Sequence, residues 1–469
     1  MTLNNLLQLK GRFEQASSPN RPGSPNLPAG KSVEVSRLEN LLTNLNELQR
    51  YWQNQNLLPG ALITAHYNKI AAKSNRLQAL LGNSSTSPNS SIVGAKFSSD
   101  ASPKHIITHY VSHAIINESI NRLRNCINIL NSQFNGEIDH ETIKQINNGE
   151  IPYSHSTIAK TNFLLVIIDA YFVDKFDLSY SIDDTVNDAI ITIYKTNVRT
   201  IELLNSLGID ILSNRIMDET TILLQPDQLE ILKTRAPFLI SMAVSDLSEI
   251  TKDDFEFFDD GILSIRSPEN EPTIGVIDTL FDESVYFSEW VEYKNMLHPA
   301  IPITGRDFEH GTAVTSIIVD GPAFNPDLED GCGNFKVKHF GVANSSSFSS
   351  FTILRNISEI VAQNRDIKVW NLSLGSKLSI HPNFISPEAA ILDKIQYEND
   401  VIFVIAGTNL SPGEIETRPI GAPADSINSI VVNSVDSNKN YSTYSRKGPV
   451  LSFFIKPDIS YYGGDSRNP

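Results

Sequence analysis

An α/β domain built on a parallel sheet is predicted for residues 272–469, preceded by a helical region and a small α+β domain. Three observations predict it. Beyond Pro272, short apolar runs alternate with helical patterns, as expected of a parallel sheet covered on both faces. Residues 1–160 instead carry apolar side chains at helical spacing. The charge also changes along the chain. Residues 1–160 hold 15 Lys and Arg against 10 Asp and Glu, a net of +5, whereas the remainder holds 23 against 44, a net of −21.

The elements follow in order. Ser17–Gly30, with Pro19, Pro22, Pro25 and Pro28, reads as an extended arm. Leu38, Leu41, Leu42, Leu45, Leu48 and Trp52 predict a helix, with Ser36 and Glu39 as its capping box. Gly82–Ser91 is a polar loop, and Ile116, Ile120, Leu123, Ile127 and Leu130 mark a second amphipathic helix. From residue 161 to 245 a small α+β domain is expected. Its buried strand at Asn162–Phe172 is followed by a helix at Val198–Leu207 stopped by Gly208, and a strand at Thr220–Leu224. A Pro-initiated helix at Pro226–Arg235 and a strand at Phe238–Val244 complete it. Residues 246–271 form an acidic linker. The parallel strands are then expected at Thr273–Ile277, Val337–Val342, Ile367–Leu374, Val401–Ala406 and Ser429–Val435. Helices are expected at His310–Val319, Leu354–Gln363 and Pro387–Gln396. The second strand is the least regular, because Lys338 and His339 lie inside it.

Composition narrows the function. A chain of 469 residues is about three times the usual domain size. The formal charge of −16 and pI of about 5.1 have the wrong sign for a general nucleic-acid binder. Two cysteines, Cys126 and Cys332, cannot build a disulfide framework, which fits a reducing compartment. The N-terminus shows no basic stretch leading into an apolar run, and Phe163–Phe172 is too short to span a bilayer. A soluble, cytoplasmic protein without a membrane partner is expected.

Three short motifs fall at strand ends or helix starts. Ile274-Gly-Val-Ile-Asp278 ends a strand in a carboxylate; Glu309-His310-Gly-Thr-Ala-Val314 puts a histidine at a helix start; Phe403-Val-Ile-Ala-Gly-Thr-Asn409 ends a strand in an amide. In open α/β sheets, functional residues gather at the carboxyl ends of the strands. Singly each motif has a plain structural explanation, a strand-terminal Asp or a polar cap. Their joint order Asp, His, Asn is a stronger signal.

With these motifs in hand, residues 272–469 resemble the subtilisin-like serine peptidases. Asp278 and His310 are 32 residues apart, the spacing of the corresponding pair in subtilisin. Asn371-Leu-Ser-Leu-Gly375 is similar to the edge strand with which these enzymes pair substrate backbone, so Ser373, Leu374 and Gly375 are the implied substrate-binding residues. Gly421-Ala-Pro-Ala424 and Lys456-Pro-Asp-Ile459 resemble the stretch ahead of the family's nucleophile. The resemblance implies a cytoplasmic serine endopeptidase acting on protein or peptide substrates; no cofactor and no metal-binding residue are assigned. In it His310 carries the proton, Asp278 orients His310, and Asn409 donates to the oxyanion. It also implies that residues 161–245 act as a propeptide, with an unrelated structural domain as the alternative. A long N-terminal region ahead of the peptidase resembles bacterial subtilases encoded beside an AAA-type ATPase, which implies such a partner.

Two departures are visible. Thr408 stands as an extra residue where the family commonly has Ala-Gly-Asn. The family's Gly-Thr-Ser-x-Ala-x-Pro is absent, since Gly311-Thr312 and Gly407-Thr408 belong to other motifs and Ser466 lacks small neighbours. Subtilisin's serine lies about 66 residues beyond its oxyanion Asn, whereas 60 residues follow Asn409 here. The expectation is a sequence that stops before its nucleophile and is inactive in this form, with no nucleophile assigned. The alternative is a non-catalytic peptidase-like module that binds protein. Outside this region, His105, His109 and His113 at spacing i, i+4, i+8 suggest one helix face, expected to be an interface rather than a metal site. Cys126 is expected in the core and Cys332 in a loop.

Overall fold

The computed structural model describes residues 24–55, 57–179, 188–245, 264–324, 331–344, 349–376, 379–410, 418–436, 438–451 and 454–463. Most of the linker, residues 246–263, lies outside them, as do much of the N-terminal arm and Ser466. The chain divides into two compact units: residues 1–51, 71–91 and 111–176, and residues 52–70, 92–110 and 177–469. Among the described residues no helix is long and apolar enough to cross a membrane.

The first unit is mainly helical. Its helices run Val35–Gln53 (whose last two residues belong to the second unit), His113–Gln133, His140–Asn148 and Lys160–Phe172. Strands Ser32–Glu34 and Glu137–Asp139 pair antiparallel beside them. Leu38, Leu41 and Leu45 are fully buried, as their spacing predicts. The first helix opens at Val35, one residue ahead of Ser36, so Ser36 is not its cap. The strand expected at Asn162–Phe172 is corrected to a helix. Phe163, Leu164, Val166, Ile167 and Ile168 are all buried, so the segment has no polar face and no period from which to tell helix from strand. Cys126 is buried in this unit, and burial pushes its thiol well above the usual range.

The second unit contains strands not expected from the sequence: Ala61–Tyr67, Ile92–Phe97 and His105–Val111, in the spatial order second, third, first. His105 and His109 therefore lie on a strand and His113 starts the following helix, which corrects the expected shared helix face. The small α+β region has three antiparallel strands, Ala189–Ile193 between Thr221–Leu224 and Ile240–Ser245, with helices Thr200–Ser206 and Pro226–Arg235.

The large sheet has seven parallel strands: β1 (Thr273–Asp278), β2 (Val291–Asn295), β3 (Lys336–Gly341), β4 (Val369–Leu372), β5 (Ile402–Ala406), β6 (Ile430–Val435) and β7 (Ile459–Tyr462), in the order β2-β3-β1-β4-β5-β6-β7. Helices α1 (Glu309–Phe324), α2 (Ser350–Gln363) and α3 (Pro387–Asn399) connect them. Successive residues of β1 serve opposite cores. Ile277 packs with Ile353, Ile357, Leu392 and Trp370, while Val276 packs with Phe281, Trp290 and Val319. Strands β2 and β7 escaped the sequence reading because they are exposed, polar-containing edges without a continuous apolar run. The small three-stranded sheet packs on this domain through Ile190 and Leu223 against Phe351 of α2, with Asp218 paired to Lys394 of α3 at 3.1 Å.

Candidate active site

Parallel pairing sets Ile277 beside Leu372 and Leu372 beside Ile405, so β1, β4 and β5 end together. Just beyond those ends lie Asp278, Ser373–Gly375 and Asn409, on three adjacent strand termini. Neighbouring strands are about 4.8 Å apart. The expected site residues on these strands are thus gathered at the carboxyl end of the sheet.

Asp278 is fully buried, and its Oδ1 accepts from the Thr279 backbone N–H at 2.7 Å and from His310 Nδ1 at 2.5 Å. His310 stands in the first turn of α1 with a mostly covered ring. The turn after β1 is laced to that helix. Thr279 Oγ1 accepts from Gly311 N at 2.8 Å, Thr312 Oγ1 accepts from Asp282 N at 2.9 Å, and Asp307 O accepts from Leu280 N at 2.9 Å. Two threonine hydroxyls thus satisfy backbone donors at the helix start and in the turn. Gly311 is required by close approach, since a Cβ there would meet the carbonyl oxygens of Leu280 and Thr279 at 2.6 and 2.7 Å. Asp307 is also buried and accepts from the N–H and hydroxyl of Thr304, which closes the turn leading into α1.

The Asn409 loop shows what the extra residue does. Thr408 has φ of 66°, a rare conformation for a β-branched residue and one that favours functional sites. Its hydroxyl accepts from Gly421 N at 2.8 Å, and its carbonyl accepts from Arg446 N at 3.2 Å. Asn409 itself is half-buried and bridges Ser445 antiparallel. A Cβ on Gly375 would stand 2.6 Å from the Thr408 methyl, so the ends of β4 and β5 touch here. Ser376 N donates to Ala422 O at 2.7 Å, which brings the Gly421–Ala424 stretch to the same end of the sheet. Beside it lies an open, mainly apolar hollow lined by Ile353, Leu354, Ile357, Leu372 and Leu374, with Glu388 at its wall.

One contributor was not assigned from the sequence. His339 on β3 is fully buried, with Nδ1 2.8 Å from Thr315 Oγ1 and Nε2 2.8 Å from Thr279 O. Burial lowers its basicity, partly offset by the Thr279 carbonyl and the nearby Asp278 charge. The signal was a histidine inside a buried strand. Among the described residues no group of three or more His, Cys, Asp or Glu is placed to hold a metal ion.

Comparison with known proteins gives one family match, described as the subtilase family, over residues 269–468. Among solved structures, the chain is similar to the prenylagaramide maturation protease PagA at 19% identity, covering 39% of this chain and 60% of that one, with a TM-score of 0.29. It is similar to the epidermin leader peptide processing serine protease of Staphylococcus aureus at 17% identity, covering 60% and 75%, with a TM-score of 0.37. A psychrophilic subtilisin-like protease from an Antarctic Pseudoalteromonas shows 20% identity, 41% coverage of each chain and a TM-score of 0.30. The chain thus spans less than two thirds of the first and third of these proteins. The family match covers the whole seven-stranded sheet and the Asp278–His310 pair, and residues 269–468 are a domain of the subtilase, peptidase S8, family.

Proposed function

We propose that this domain is a serine-type endopeptidase that hydrolyses peptide bonds in protein or peptide substrates. The observation that carries the reading is the 2.5 Å contact between His310 Nδ1 and the fully buried Asp278 carboxylate. A carboxylate oxygen only accepts, so Nδ1 carries the proton and Nε2 keeps a lone pair. That is the tautomer a general base needs. Nε2 takes the proton of a serine hydroxyl as its oxygen attacks the scissile carbonyl, and later gives it to the leaving amine. Asp278 stabilises the imidazolium in between. In this reading Asn409 donates its side-chain amide to the tetrahedral oxyanion, and Ser373–Gly375 pairs with substrate backbone. No described residue is assigned as the nucleophile.

The apolar hollow beside Leu374 supports an apolar substrate side chain on the acyl side. A regulatory, propeptide-like role for residues 161–245 is supported by the packing of the three-stranded sheet within 189–245 on α2 and α3. The AAA-type ATPase partner and the cytoplasmic location rest on the resemblance and the composition alone. The test is reaction of the protein, as its gene encodes it, with a fluorophosphonate and a peptide library. Labelling of one serine that His310→Ala abolishes supports the reading. A well-folded protein that neither labels nor cleaves supports the protein-binding alternative.

A further inference from the structure

Thr279 spends all three of its polar groups on the site. Its N–H donates to Asp278 Oδ1, its hydroxyl accepts from Gly311 N, and its carbonyl faces His339 Nε2 at 2.8 Å. The other nitrogen of His339 meets Thr315, one helical turn beyond Gly311 on α1. A carbonyl can only accept, so Nε2 bears the proton, and Nδ1 accepts from the Thr315 hydroxyl. The ring is wedged between Phe281 and Tyr293, with centroids 5.6 and 5.7 Å away, so it has no freedom to turn. The titratable groups around it are Asp278 from β1, His310 from α1 and Tyr293 from β2.

We propose that His339 is a positioning residue for the Asp278–His310 pair, a neutral crosspiece that ties the Thr279 carbonyl to Thr315 and so fixes α1 against the end of β1. The geometry makes a simple filler a poorer account. A buried side chain needs only to be satisfied, whereas this one bridges the two elements that carry the pair and bonds the residue that braces Asp278. A neutral ring also leaves the Asp278 charge to His310, because a second imidazolium at this position would compete for it.

The inference rests on the Asp278–His310 reading, and the test separates the two. The full chain is labelled with ¹⁵N-histidine, and the downfield Hδ1 resonance of His310 is followed with its titration. Loss of that resonance in Asp278→Asn is expected; its persistence overturns the pair itself, independently of His339. In His339→Leu the resonance should broaden or vanish through faster exchange, and the His310 midpoint should fall by about half a pH unit or more. His339→Gln, which retains a donor for the Thr279 carbonyl, should restore much of the signal. A folded His339→Leu protein with an unchanged resonance and midpoint overturns the proposal. If that variant does not fold, Thr315→Val decides. It keeps the side chain's shape and removes only the hydroxyl, so a broadened Hδ1 supports the crosspiece and an unchanged one overturns it.

Discussion

Asp169, in the helix Lys160–Phe172, and Asp278, at the end of β1, are both buried, at 2% and 0% exposure, yet their carboxylates are bonded differently. Asp169 accepts from three consecutive backbone N–H groups, Gln78 to Oδ1 at 2.9 Å and Ala79 and Leu80 to Oδ2 at 2.8 Å. Both oxygens are used, and the partners are backbone groups of a loop. Asp278 has one backbone donor and one titratable partner, His310, and among the described residues its Oδ2 has none. A buried carboxylate saturated by backbone N–H groups fastens a loop. One left partly unsatisfied beside an imidazole is bonded instead to a group that can take up a proton, at a cost in stability. The difference in bonding sets the proposed catalytic aspartate apart from one that fastens a loop.

The largest expected effect lies on the functional side of that comparison. His310→Ala, in the protein as its gene encodes it, should remove nearly all peptide hydrolysis. In subtilisin, loss of the serine or the histidine alone costs about 2 × 10⁶ in kcat. The circular dichroism spectrum should be unchanged, since His310 lies in the first turn of α1 and Gly311 and Thr312 keep their own bonds. Undiminished turnover in that variant would break the assignment. Next comes Asp278→Asn, expected to lower kcat by about 10⁴, the scale measured when a protease's triad aspartate becomes asparagine. Asp169→Asn, assayed beside it, should leave kcat unchanged. If the two variants behave alike in a peptide assay, the distinction between the aspartates fails.

Asn409→Ala sharpens the site further. If the amide meets the oxyanion, kcat should drop by about 10²–10³ with KM little changed, because that contact is made only in the transition state. A rise in KM at constant kcat would instead place Asn409 in ground-state binding. Thr408, at a positive φ ahead of it, is an extra residue relative to the family pattern, so the kcat and KM split is the informative readout.

How much of this could be read from the sequence depends on how each signal is encoded. The central strands β1, β4, β5 and β6 announce themselves as short apolar runs, and Asp278, His310 and Asn409 as a collinear set of motifs. Residues 162–172 failed because a helix buried on every side has no period, so length was the better guide. Ala61–Tyr67 and His105–Val111 were missed for a related reason. Polar Thr64, Thr108 and His109 interrupt them, and a strand whose polar groups are buried looks polar in sequence. His339 shows the same limit inside the site: a histidine in a strand was visible, but its partners Thr279 and Thr315 meet it only through the fold.

The smallest effect belongs to Asp169. Burial pushes its carboxyl up to about 7, against the pull of the three backbone N–H groups. Its value in an unfolded chain is about 3.9. The folded state therefore binds the proton more tightly, and this contribution to stability is full below about pH 4 and lost as pH rises through about 7. The helical unit should thus open more readily at pH 8 than at pH 5, by a few kcal/mol at most. Hydrogen exchange of amides in 160–172 and 78–80, corrected for its intrinsic pH dependence, reads this directly. Asp169→Asn should flatten the profile, since a neutral amide has no proton to lose and can still offer one oxygen to the loop. A flat profile in the unaltered protein would mean that the three N–H groups hold the carboxylate ionised throughout. Asp169 and Asp278 would then be told apart by their partners alone, backbone N–H groups for the one and an imidazole for the other.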